Sequence, residues 1–141
     1  MATQADFTEE QWQTLQWAVT DTMAYLSMAD PGFWDSFKEA TGAAKFIAEN
    51  KTSSTNLLVR DLAAGIKAKR DKEMTGNPTD LAGQVSARVA EAVAIIAEKD
   101  ADDLPAFKEF VLGLAKATAE AVDGIGANEM AAIDKITLAL G

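Results

Sequence analysis

The chain has 141 residues, 48% hydrophobic and 25% charged, a mix that folds as one ordinary domain rather than staying disordered. Its 22 acidic against 13 basic residues leave a net charge of −9, a field that repels nucleic-acid backbones and anionic lipid faces. With no Cys and no His, disulfides, thiolate chemistry, Ser-His-Asp triads, histidine general bases and imidazole metal sites are excluded, so any metal would be a hard cation held by oxygen.

The opening residues lack the basic start and apolar run of a secretory signal. No stretch approaches the roughly 20 apolar residues of a membrane span. The expectation is a cytoplasmic protein, a single domain over residues 1–141, touching neither membrane nor nucleic acid.

The spacing predicts a first helix over Glu9–Met28, with Thr8 as N-cap and Gln11 completing a capping box. Trp12, Leu15, Val19, Met23 and Leu26 recur at three- and four-residue steps and form one buried stripe. Trp17, Tyr25 and Met28 make a second apolar set on the opposite side, as expected of a central helix or one at an interface. Asp30-Pro31-Gly32 breaks it. The second helix runs over 33–49, with Phe33, Phe37, Ala40, Ala44 and Ile47 inward, and a polar link follows over 51–56.

A third helix extends to about Lys72 and buries Leu58, Val59, Leu62 and Ile66, with basic residues at its end that complement the helix dipole. Gly76-Asn77-Pro78 is a turn, and a fourth helix over 79–99 carries Leu81, Val85, Val89, Ala92, Val93 and Ile96 around one face. Asp103 serves as N-cap of a fifth helix over 104–122, with Pro105 just inside and Leu104, Phe107, Val111, Leu114, Thr118 and Val122 inward. The sixth helix, 128–140, buries Met130, Ile133, Ile136 and Leu140. No alternating run argues a strand. The fold class is therefore all-α, a compact bundle of about six helices.

Residues 8–49 and 104–140 share a plan of helix, corner with Asp and Gly, helix, which gives two pseudo-repeated helical hairpins. The second corner reads Asp123-Gly124-Ile125-Gly126-Ala127-Asn128-Glu129 and resembles that of the bacterial TerB-like, tellurite-resistance-associated helical domains. The chain as a whole also looks like small bacterial proteins with an opening like Phe7-Thr8-Glu9-Glu10-Gln11-Trp12. The resemblance implies a TerB-like bundle and divalent-cation binding, Ca²⁺ or Mg²⁺, in stress response. The carboxylates that would serve are Asp30, Asp35, Asp123 and Glu129, although Gly126, Ala127 and Asn128 stand where further acids would help.

Read by themselves, these acids fit helix capping better than a cation site, since neither corner has EF-hand spacing. Lys45, Lys67 and Lys116 read as solvated, and no Gly-rich phosphate loop follows a strand. No catalytic constellation is present and no resident cofactor is expected. Trp12 belongs to the core, whereas Trp17, Tyr25, Met28 and Trp34 form a candidate partner or ligand surface. Three functions follow: a non-enzymatic interaction module forming a homodimer or binding a protein, a divalent-cation site at the corners, and a small-ligand pocket between the hairpins.

Overall fold

A computed structural model describes residues 2–28, 45–52, 54–65, 78–120 and 127–141 of the chain. Its helices are α1 (Glu9–Met28), α2 (the helical residues 45–52), α3 (Leu57–Gly65), α4 (Pro78–Asp100), α5 (Leu104–Glu120) and α6 (Ala127–Leu140). Short 3₁₀ turns cover Gln4–Asp6 and Ala101–Asp103. The molecule is all-α, a compact bundle with no strand among the described residues.

α1 begins where the capping box places it. The Gln11 N–H donates to the Thr8 hydroxyl at 3.1 Å, and the Thr8 N–H donates to Oε1 of Gln11 at 3.0 Å. This reciprocal pair satisfies two of the N–H groups that every helix start leaves unpaired. Downstream, Ala18, Val19, Thr20, Asp21 and Thr22 are all buried, so the middle of α1 is enclosed all round. It packs most extensively on α4, then on α5, and also touches α6 and α3. Its buried hydroxyls stay within the helix: Thr22 donates to the Ala18 carbonyl at 2.7 Å, as Thr118 of α5 does to Leu114 at 2.8 Å.

The inward stripes follow the expected spacing. Leu15, Val19 and Leu26 of α1, Leu58 and Leu62 of α3, Val85, Val89, Ala92 and Ile96 of α4, and Phe107, Val111 and Leu114 of α5 join Ile136 of α6 in one apolar cluster. Met130 departs from the expectation. It is 49% exposed, because Ala132, Ile133, Ile136 and Leu140 set the buried side of α6 and Met130 lies about 100° from that direction at 100° per residue.

Several hydrogen bonds tie distant parts of the chain together. Asp103, buried, accepts the Ala2 N–H at 2.7 Å and the Asn56 side-chain amide at 3.0 Å. Asn56 in turn caps α3 by accepting the Val59 N–H at 3.1 Å. Lys108 donates to the Gly141 carbonyl at 3.3 Å. The Ala2–Asp103 and Asp21–Arg88 pairings place the start of α1 level with the end of α4, so the two helices run antiparallel.

One close approach depends on a missing side chain. A Cβ at Gly113 on α5 would lie 2.5 Å from Cζ of Phe46 on α2, whose ring stacks on Phe110 with centroids 5.8 Å apart. Gly83 on α4 has nothing within 4 Å of the same position. Gly83→Ala should therefore raise stability by about 0.5–1 kcal/mol through helix propensity alone. Gly113→Ala should lower it by about 1–2 kcal/mol, since displacing the Phe46 ring outweighs that gain. Paired thermal melts check both signs.

Candidate functional site

Of the expected aromatic surface, Trp17 and Tyr25 are described. Tyr25 is 8% exposed and belongs to the core, and burial pushes its phenol pKa up. Trp17 is half-buried, with the Arg88 guanidinium 4.6 Å from its ring centroid. The two therefore do not form one open apolar face. Trp34, Asp30, Asp35 and Asp123 lie outside the described residues, as do the side chains of Met28 and Glu129. The same holds for both corner turns of the hairpin repeat. Among the described residues, no group of three or more acids could hold a metal ion. Lys45 and Lys116 are exposed.

The structure assembles three features instead. The first spans α1 and α4, where Arg88 donates from Nη1 to Oδ2 of Asp21 and lies over Trp17. Asp21 has no exposed side-chain surface. Its second oxygen, Oδ1, and Oε1 of Gln84, one turn before Arg88 on α4, are buried and have no donor among the described residues. Burial holds the Asp21 carboxyl above its ordinary value, while the hydrogen bond and charge of Arg88 pull it partly back. This arrangement locks α1 and α4 in register. Among the described residues, Arg88 is the one charged group acting on Asp21 and no second carboxyl shares its proton, so the pair reads as structural.

The second feature is a groove of about 610 Å³ where the N-terminal segment crosses the start of α1 and meets α3. Its lining includes Thr3, Gln4, Thr8, Glu9, Trp12 and Asp61. Phe7 and Trp12 form a tilted ring pair at its apolar side, centroids 5.7 Å apart. Asp61 accepts the Gln4 N–H at 3.1 Å, which fastens the segment to α3. Nε1 of Trp12 is buried and finds no acceptor among the described residues. The groove is not between the two hairpins, where a pocket was expected.

The third feature is the outward side of α6. Leu138 is 80% exposed and Met130 49%, and Ala131, Asp134, Lys135 and Thr137 are exposed beside them. At 100° per residue these six fall within one half of the helix surface, so the apolar members form a strip interrupted by one acid and one base. Sequence reasoning missed it by turning Met130 inward. The signal available was Leu138, which no arrangement of the Ile133, Ile136 and Leu140 stripe can bury.

No protein-family model, curated protein or solved structure matches the chain. Among the described residues, no helix is long and apolar enough to cross a membrane.

Proposed function

We propose that this chain is a non-enzymatic interaction module whose contact surface is the outward face of α6, with a second copy of the chain as its partner. The observation that carries the reading is Leu138, a large aliphatic side chain left 80% exposed on a regular helix. Exposed apolar strips of this kind mark contact surfaces. Set antiparallel, two such helices bring Leu138 over the small Ala131 of the partner, a fit of large against small that lets the helices approach closely. Absence of His and Cys from the sequence supports the non-enzymatic half, since the commonest bases and nucleophiles are missing.

A single helix pair falls below the ~1,200 Å² of standard interfaces, and Asp134 and Lys135 interrupt the strip. The expected association is therefore weak, with a Kd of about 1 µM or above. Sedimentation of the wild-type chain over a concentration series should show its mass rising toward twice that of one chain. Leu138→Glu should hold it at one chain throughout, with unchanged far-ultraviolet dichroism. A wild-type mass that stays at one chain across the series rejects the reading.

A further inference from the structure

We infer that the bond between Met1 and Ala2 is a cleavage site, and that the α-ammonium freed on Ala2 forms a buried ion pair with Asp103. Asp103 is 1% exposed, yet the groups on its two oxygens are both neutral. The Ala2 backbone N–H donates to Oδ2 at 2.7 Å and the Asn56 side-chain amide donates to Oδ1 at 3.0 Å. No Lys or Arg among the described residues pairs with it. A buried carboxylate is costly without a counter-charge. The Ala2 nitrogen stands where that counter-charge is missing. Its distance is short for a backbone amide, which usually lies about 2.9–3.0 Å from its acceptor, and matches a cationic nitrogen on a carboxylate.

Hydrolysis supplies the charge at that nitrogen. Water adds its hydroxyl to the Met1 carbonyl carbon and the C–N bond breaks. The proton of the new acid passes to the Ala2 amine, which leaves a carboxylate on Met1 and an ammonium on Ala2. The residue after the cut suits the reaction, because aminopeptidases that remove methionine accept a small second residue. Ala2 is 6% exposed and part of the core, so the cut precedes docking of the segment. The same ammonium results from any hydrolysis of this bond, whatever precedes Met1. Asp100 and Asp102 stand on the same turn as Asp103 and attract the charge further. Lys99 at the end of α4 opposes them, Lys108 on α5 is turned to the Gly141 carbonyl, and α3 contributes the neutral Asn56. The ion pair is separate from the contact surface on α6.

Mass spectrometry of the intact chain expressed from Met1 should find it lighter by one methionine. The Ala2 Cβ resonance followed against pH should then show the ammonium holding its proton about tenfold more tightly than an ordinary chain terminus, whose pKa is about 7.7–8.0. Asp103→Asn should return it to that range. A chain with one Gly inserted between Met1 and Ala2 retains Asp103 and, once trimmed, carries the same charge one residue earlier. Its ammonium should titrate in the ordinary range, and its hydrogen exchange over residues 3–8 should run about tenfold faster than in the trimmed chain. The Gly-inserted chain decides the matter even if Asp103→Asn loosens the segment. A retained Met1, an Ala2 ammonium that titrates in or below the ordinary range, or a Gly-inserted chain that equals the trimmed one in both readouts overturns the inference.

Discussion

Replacing Arg88 with Met should lower the unfolding free energy by about 3–5 kcal/mol at neutral pH, the range seen when one partner of a buried ion pair is removed. Asp21 has no exposed surface, and Arg88 is its only described partner, so the variant leaves a carboxylate with neither water nor counter-charge. The pH dependence has a definite sign. Burial raises the Asp21 carboxyl above its ordinary 3.8, and Arg88 opposes that rise. A carboxyl raised in the folded state favours folding below its unfolded value, and this contribution is lost as pH climbs through the folded value. Without Arg88 the rise is larger and the window extends further upward. The deficit of Arg88→Met against wild type should therefore be greatest near neutrality and shrink on acidification. Urea unfolding at several pH values measures it, and a deficit independent of pH contradicts the account. Replacing both members, Asp21→Leu with Arg88→Met, should recover most of the loss.

The second large effect is expected at Asp103. Asp103→Ala removes the acceptor for the Ala2 N–H and for the Asn56 amide at once, both in buried or half-buried surroundings. Hydrogen bonds to a charged acceptor contribute about 1.5–3 kcal/mol each, and coupled bonds do not simply add, so a loss of about 2–4 kcal/mol is expected. Asp103→Asn, which keeps one carbonyl oxygen, should lose about half of that. Hydrogen exchange should quicken first in residues 2–8 and at the start of α3, because Asn56 also caps that helix through Val59. Uniform quickening across all helices, or none, would count against Asp103 as the local tie.

The sequence reveals most of the bundle because its strongest signals are local. The capping box at Thr8 and Gln11 marks the start of α1, and the Asp30-Pro31-Gly32 breaker brackets its end. Three- and four-residue apolar spacing names most of the buried members of α3, α4 and α5, although Val93 and Leu104 are only half-buried and Phe110 joins the core from outside the stripe. The misjudged positions are those decided by distant chain. The sequence points to Asp103 as a local cap, yet the cap at this corner is Asp100, which accepts the Asp102 N–H at 3.0 Å, while Asp103 reaches Ala2 and Asn56. By its spacing Tyr25 belongs to an outer surface, yet it is core, because the middle of α1 is enclosed. That enclosure held a usable clue to the ion pair. An acid in the middle of a buried helix requires a cation, and Arg88 and Lys99 are the only basic residues of α4, the helix most closely packed on α1. The groove was not legible, since the segment over residues 3–8, α1 and α3 converge only in three dimensions.

Asp103 fastens Ala2, and Lys108 fastens Gly141, five positions further along the same stretch. At a rise of 1.5 Å per helical residue, those anchors are roughly 8 Å apart. The first and last described residues are thus held at one place, the entry to α5. Fraying of that single corner would release both together.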